Sequence, residues 1–505
     1  MMPNTPTLAD IIGAGQKMGD HRPWPRTVID AESWQAISAQ FGVSQWTLSG
    51  LWGDASAVHM ALLDEATCSM AVVTLPCPDG RFPSVGQYHP PAIRLERTIH
   101  DLFGHEPQNA PDLRPWLDQG RWGLRHPLGA QAAGWDAKPY MFLPAEGESL
   151  HQIAVGPVHA GIIEPGHFRF HANGEAIVRL ETRLGYTHKG VESLMQGTDL
   201  AGAAKLAGRV SGDSTVAYAI AFARAAEAAL GMEMPARAHW LRALMAELER
   251  LANHLGDIGT ICNDASFAIM LAHCAVLREC VLRASEACFG HRLMRDCVVP
   301  GGITRDLGSG GAPVLRTLLT EIRKRLPALI ELYDNTASLQ DRTVTTGLLK
   351  PHLAQQFGAG GFVGRASGRA FDARRALPYP PYDRLAFAVP VLQDGDVNAR
   401  VWIRIREVEQ SMALIEQILD GLPGGAIRAE IPRHTGEGMA MVEGFRGDIL
   451  AWVRLDGEAR IARCHLRDPS WFQWPLLEAA VEGNIVADFP LCNKSFNCSY
   501  SGCDL

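Results

Sequence analysis

The stretch Trp240-Leu241-Arg242-Ala243-Leu244-Met245-Ala246-Glu247-Leu248-Glu249-Arg250-Leu251-Ala252-Asn253-His254 sets leucine, alanine and methionine at i, i+3, i+4 and i+7. That spacing gives an α-helix one wide apolar stripe. The same alanine- and leucine-rich texture runs from Leu200 to about Leu349, so this part is expected to form long helices that cover one another. A glycine-dense segment, Gly358 to Gly368, interrupts it and reads as a tight loop against a partner. A further helix is expected around Ala399 to Leu419, and short strands near Ile449 to Arg463. Upstream the texture differs. Up to about residue 135, apolar runs such as Ala71-Val72-Val73-Thr74-Leu75 alternate with proline and glycine turns, as a small α+β domain requires. Residues 136–160 hold few periodic apolar positions and read as a linker and a lead-in strand. Between Phe168 and Leu180 two β-prone runs meet at Asn173-Gly174, a hairpin signal because both residues accept positive φ. The expected fold class is α+β: an α+β domain over 1–135, a linker over 136–160, and a mainly α-helical bundle with small antiparallel sheets over 161–505.

Composition narrows the function. The 505 residues are 47% hydrophobic and 20% charged, with a formal net charge of -8. No basic field exists to attract nucleic acid, which is excluded as a partner. The start, Met1-Met2-Pro3-Asn4-Thr5, lacks the basic and then apolar pattern of a secretory signal, and no run of 18 uncharged apolar residues follows. A cytoplasmic location is expected, at a membrane only through partners. Of eleven cysteines, Cys262, Cys274, Cys280, Cys288 and Cys297 fall in one helical stretch with irregular gaps and no C-x-x-C pair. They read as buried, reduced core residues. No C-x-x-C-x-x-C run supports an internal iron-sulfur cluster, and no G-x-G-x-x-G after a strand supports a nicotinamide site.

Three stretches carry candidate chemistry. Arg94-Leu95-Glu96-Arg97-Thr98-Ile99-His100-Asp101-Leu102-Phe103-Gly104, followed by Pro111-Asp112-Leu113-Arg114, reads as a capped helix and a loop joined by ion pairs. Gly156-Pro157-Val158-His159 and Glu164-Pro165-Gly166-His167-Phe168-Arg169 set two histidines, a carboxylate and an arginine in glycine and proline loops. Gly185-Tyr186-Thr187-His188-Lys189-Gly190 adds a third histidine. Imidazole titrates near neutral pH, so such loops suit proton relay to a bound acceptor. Read blandly, they are loop residues satisfied by backbone bonds.

The order of motifs resembles a known family. Those three stretches, with Glu249-Arg250-x-x-Asn253-His254, Asp341-Arg342-Thr343-Val344, Gly361-Phe362-Val363-Gly364-Arg365, Asp396-Val397-Asn398-Ala399-Arg400 and Arg467-Asp468-Pro469-Ser470, are similar to the hydrogenase-4 component G and formate hydrogenlyase large subunits. These are energy-converting [NiFe] hydrogenase-like proteins related to the fused 30 kDa and 49 kDa-type subunits of respiratory complex I. The resemblance spans about residues 90 to 505. It implies an iron-sulfur small subunit as partner, with iron-sulfur clusters held there, and membrane-embedded complex I-like and antiporter-like subunits beyond. It also implies a quinone-type acceptor. His159 and His167 are then expected to donate protons or touch the acceptor, with Arg169, Glu164 and His188 arranging the field around them.

At the metal positions the chain departs from that family. The family's first C-x-x-C is Ser211-Gly212-Asp213-Ser214, and the tail reads Asn497-Cys498-Ser499-Tyr500-Ser501-Gly502-Cys503-Asp504-Leu505. Matching Asp504 to the family's terminal aspartate puts the last two ligand positions on Ser499 and Gly502, with Cys498 and Cys503 one residue outside each. A serine hydroxyl stays protonated and binds nickel weakly, whereas a thiolate bridges two metals. Ser211, Asp213 and Ser214 therefore mark a vacated site, and no cofactor bound directly by this chain is expected. Asp213 is expected to cap the helix that begins at Ser214, the other role open to it being a proton relay. Three functions remain. The first is a nickel-free subunit passing electrons from an iron-sulfur partner to an acceptor, coupled to ion translocation. The second is a working hydrogenase with a nickel-iron centre rebuilt on Cys498, Cys503 and hydroxyls. The third is a non-redox scaffold.

Overall fold

The fold was obtained as a computed structural model that describes the chain except residues 1–7, 9, 11, 12, 14, 43–45, 130–138, 148, 161 and 162, and describes 158–160 and 163 by backbone alone. The strands in chain order are β1 (Gln16–Met18), β2 (His21–Arg22), β3 (Arg26–Val28), β4 (Trp46–Gly53), β5 (Ala57–Asp64) and β6 (Ser69–Pro76) in the front part, followed by the short parallel pair β7 (Arg81–Pro83) and β8 (Glu106–Gln108). Five of them form a sheet ordered β1-β3-β6-β5-β4, antiparallel except for the β3/β6 pair. Helix Ala31–Gln40 starts at Asp30, whose carboxylate accepts the Ser33 N–H at 2.8 Å, the N-cap bond that satisfies an orphan donor. Helix Ile93–Phe103 covers β4 and stops at Gly104, which takes the left-handed conformation.

β9 (Leu150–Ala160), β10 (Ile163–Asn173) and β11 (Ala176–Arg183) form a three-stranded antiparallel sheet. Asn173 pairs with Ala176 and Gly174 sits at φ 58°, so the turn falls where the Asn-Gly signal puts it. Long helices follow at Thr215–Ala229, Ala236–Asp264, Ala268–Phe289, Gly308–Asn335 and Val397–Gly421. The Ala236–Asp264 helix lies at their centre, packed against both the Ala268–Phe289 and Val397–Gly421 helices. After the hairpin β12 (Val298–Val299) and β13 (Gly302–Ile303), the rear sheet is built from β14 (Gly436–Glu443), β15 (Asp448–Leu455) and β16 (Ile461–Arg467).

The N-terminal segment completes that rear sheet. β2 pairs in parallel with β14, His21 opposite Glu437. Alternation along the front strands then joins the two parts. Trp52, Ala61, Leu63, Met70 and Val72 face one way and pack with Met439, Met441, Leu450 and Trp452 of the rear sheet, while Leu51, Met60, Leu62 and Val73 point to the main core. Both faces of these strands are covered, which explains why their sequences read as nearly continuous apolar runs. The alanine-rich helix Thr215–Ala229 lies on β14 at backbone distance. A β-carbon on Gly436 or Gly438 would run into the carbonyls of Ala229 and Ala225, so glycine is required there.

The glycine-dense segment does not form a loop against a partner. Gly361–Ala366 is a short helix whose every residue is buried, lying against the Arg446-Gly447 turn of the same chain. Its glycines serve internal close packing.

Candidate functional site

The tail from Asn497 to Leu505 returns to the N-terminal end of the Thr215–Ala229 helix and is tied there by polar groups from every neighbouring element. Ser211 Oγ and Ser499 Oγ are 3.1 Å apart, and the Gly502 N–H donates to Ser499 Oγ at 2.9 Å. Ser211 Oγ donates to Asp213 Oδ1 at 2.8 Å. Arg446, on the turn between β14 and β15, spans the rest. Its Nη1 donates to Asp213 Oδ1 at 2.7 Å and to Ser214 Oγ at 3.2 Å, its Nη2 donates to Asp213 Oδ2 at 2.5 Å, and its Nε donates to the Asn497 carbonyl. Burial alone would raise the Asp213 carboxyl; the guanidinium outweighs it and holds the group below its usual range.

The four positions matched above to metal ligands, Ser211, Ser214, Ser499 and Gly502, hold three hydroxyls and a glycine. A β-carbon on Gly502 would come within 2.5 Å of Asp468 Oδ2, and that carboxylate is fixed by the Tyr218 hydroxyl at 2.7 Å and the Ser470 N–H at 2.8 Å. Cys498 and Cys503 are buried, and desolvation pushes both thiols above their ordinary range. Hydroxyls, a glycine and a fixed guanidinium do not supply the thiolates that would hold nickel and iron together. Among the described residues, no group of three or more His, Cys, Asp or Glu side chains has metal-holding geometry. A thiolate-held nickel-iron centre does not fit.

Around this cluster sit carboxylates with displaced titration. Glu249 is buried and accepts the Val216 and Ala217 N–H groups at 2.6 and 3.0 Å. Desolvation pushes it up to about 8. A crevice lined by Asp213, Glu249 and Asn253 leads away between helices. Asp504 accepts the Gly185 N–H at 2.7 Å, the Thr187 N–H at 2.8 Å and the Thr187 hydroxyl at 2.6 Å, and burial raises it to about 6.

The expected site residues separate into two groups. Glu164 accepts the Ser501 N–H at 2.8 Å, and His188 Nδ1 lies 2.5 Å from the Asp504 carbonyl with its ring on Trp122. Both therefore join Ser211, Asp213 and Ser214 around the tail. His167 and Arg169 lie on the other face of β10 from Phe168, which packs on Trp474 and Tyr500. His167 Nδ1 is 3.0 Å from the Gly156 carbonyl and its ring is on Phe142; Arg169 also lies over Phe142 and donates to Gln152 at 3.3 Å. Burial lowers the His167 imidazole, leaving it neutral, and its Nε2 is buried without a hydrogen-bond partner among the described residues. The His159 side chain lies outside the described residues.

Asp213 is not the helix cap expected of it. The N-cap of Thr215–Ala229 is Ser214, which makes no side-chain cap bond, and Glu249 takes the free N–H groups instead. With Arg446 at bonding distance, Asp213 gains more from the bidentate ion pair than from a cap. Arg446 is absent from the expected site. Its only signal is a lone arginine between glycines, Gly444-Phe445-Arg446-Gly447, directly after an apolar strand.

Residues 31–134 match the family of the 30 Kd subunit of respiratory-chain NADH dehydrogenase, residues 189–256 that of nickel-dependent hydrogenase, and residues 264–436 and 427–505 that of the 49 Kd subunit of respiratory-chain NADH dehydrogenase. The chain is similar to formate hydrogenlyase subunit 5 of Escherichia coli, at 31% identity over 93% of this chain and 84% of the relative. Its similarity to hydrogenase-4 component G of the same organism is 31% identity over 92% and 83%. One subunit of the NADH-quinone oxidoreductase of Dehalococcoides mccartyi is 32% identical over 66% of this chain and 93% of the relative. A chain in the solved structure of the membrane-bound sulfane sulfur reductase, an archaeal respiratory membrane complex, superposes with a TM-score of 0.67 at 27% identity, covering 71% of this chain and 99% of that one.

Proposed function

The chain belongs to the family of formate hydrogenlyase subunit 5 and hydrogenase-4 component G, and from that premise we propose that it is a nickel-free oxidoreductase subunit of a membrane-associated, complex I-related assembly. In this reading an iron-sulfur small subunit delivers electrons to an acceptor at the tail cluster, a quinone being the class that the family's relatives suggest. Membrane-embedded and antiporter-like partners would convert that transfer into ion movement. No described helix is long and apolar enough to cross a membrane, so attachment would come from those partners, on the inner face.

The observation that carries the nickel-free part is the Arg446 fork. A guanidinium with its donors spent on Asp213, Ser214 and the Asn497 carbonyl stands against the hydroxyls where a metal would be held, and neither it nor those hydroxyls offers a thiolate to bridge two metals. A quinone taking two electrons also needs two protons. Groups that change protonation near neutral pH surround the cluster: Asp504, raised to about 6, and Glu249, raised to about 8. Each is suited to hold a proton and release it as charge develops nearby.

Metal analysis of the assembled, purified complex tests the reading. Nickel far below one atom per complex, with no H₂ evolution, is expected. Stoichiometric nickel in a complex that evolves H₂ from this subunit would falsify it.

A further inference from the structure

A second, separate cavity lies between the front helix Ile93–Phe103 and the end of β11. Its volume is about 280 Å³, and His100, Asp101, Gln119, Tyr140 and Arg183 are among the residues lining it. Arg183 is unusual there. It is only 8% exposed, yet it has no hydrogen-bond or ion-pair partner among the described residues, and its Nε is buried and unsatisfied. Other deeply buried arginines have acceptors. Arg242 faces Glu227, Arg365 faces Glu407 and Glu443, Arg374 faces Asp372 and Glu247, and Arg400, without a carboxylate, donates to Ser495 Oγ and the Gly395 and Gly347 carbonyls. A buried guanidinium without a counter-charge is costly, because desolvation is not offset.

The neighbours that might have neutralised it are already engaged. The guanidinium carbon of Arg183 lies 3.8 Å from the centre of the Tyr140 ring, a contact that supplies no carboxylate or carbonyl acceptor for its N–H groups. Asp101 accepts the backbone N–H groups of Trp116, Leu117 and Asp118 at 2.7, 2.8 and 3.3 Å. Glu181, two residues before Arg183, is bound to Arg114 at 2.6 Å. The missing acceptor must come from outside these groups.

We infer that this cavity binds the carboxylate or phosphate group of a small metabolite, with Arg183 as its principal donor. Its size sits at the small end of ligand pockets, roughly 300–1,000 Å³, and guanidinium is the side chain best matched to a planar or tetrahedral oxyanion. The position also connects it to the tail. The next residue, Leu184, accepts from Gln119 Nε2 at 2.5 Å, and the Gly185 N–H beyond it is held by Asp504. Anion binding would therefore brace the loop on which the tail cluster rests, whatever acceptor that cluster serves.

The assembled complex is titrated with orthophosphate in one arm and succinate in the other, against chloride at equal ionic strength, and binding is followed by calorimetry. Saturable binding of at least one probe is expected. It should weaken at least ten-fold in Arg183→Gln and remain unchanged in Arg283→Gln, whose side chain is 77% exposed on a distant helix. The arm that saturates tells phosphate from carboxylate chemistry. No saturation by either probe below about 10 mM, or equal binding by wild type and Arg183→Gln, overturns the inference. If Arg183→Gln does not assemble, a cryo-EM map of wild-type complex in saturating probe decides it: density against the Arg183 guanidinium supports the site, and an empty cavity refutes it.

Discussion

Replacing Arg446 with methionine keeps an unbranched apolar stem and removes the charge and all four donated bonds. The arginine side chain is 5% exposed, that of Asp213 36%. Breaking a buried ion pair by removing one partner costs about 3–5 kcal/mol; because Asp213 can partly rehydrate, about 3 kcal/mol is the appropriate figure. Much of that loss should fall on the tail, since the Asn497 carbonyl also loses its donor. Hydrogen exchange of peptides covering 497–505 reads the effect locally and does not depend on two-state unfolding of a chain this large. Protection there should fall roughly a hundred-fold. Asp213→Asn combined with Arg446→Met removes the stranded charge together with its partner, so most of the protection should return, to within about ten-fold of wild type. Unchanged protection in the single variant, or a double variant as damaged as the single, would refute the assignment of this pair as the element that holds the tail.

Gly502→Ala puts a β-carbon 2.5 Å from an Asp468 oxygen already held by Tyr218 and Ser470; a loss of about 1–3 kcal/mol in denaturant unfolding is expected, and a neutral result would mean the tail can move. Glu249→Gln addresses pH. The folded carboxyl, at about 8, lies above its ordinary value of 4.5, so its contribution is fully present below about pH 4.5 and is lost as pH rises to about 8. Stability of the glutamine variant should be flatter across that window, and equal slopes for the two proteins would exclude Glu249 as a proton holder. Asp504→Asn, which removes the titrating carboxyl raised to about 6 at the tail, in the intact complex should slow electron transfer to the acceptor; unchanged transfer and ion translocation would favour a scaffold.

What could be read ahead of the structure follows from the range of the interactions involved. The Asn173-Gly174 turn and the helix containing Trp240 to His254 are set by conformational preference and periodicity over a few residues, and both fall where the sequence puts them. Motif order brought Glu164, His188 and the serine pair to one place. It failed at Asp213, because a cap is a local expectation and the competing Arg446 lies 233 residues away. It failed again at Gly358 to Gly368, where glycines that look like an exposed turn are instead needed for close approach inside the fold. The resemblance set His167 and Arg169 beside Glu164 and His188, but strand alternation from Phe168 puts their side chains on the opposite face of β10.

Under the nickel-free reading the tail would keep its shape through anchors that need no metal. Asp504 satisfies N–H groups of Gly185 and Thr187, Glu164 satisfies that of Ser501, and the Ser470 hydroxyl satisfies that of Ser499. Each bond serves a backbone donor that would be costly to leave buried and unpaired, and none uses a side chain at the four matched positions. In that reading the hydroxyls leave a single electrostatic problem, the charge of Asp213 beside side chains too weak to hold a cation. Arg446 solves it from a turn that the rear sheet already holds in place. The order of loss predicted by this reasoning is specific: a variant without the Arg446 charge should loosen the tail while β14 and β15 keep their exchange protection, because the strands are paired along their full length and do not rely on the fork.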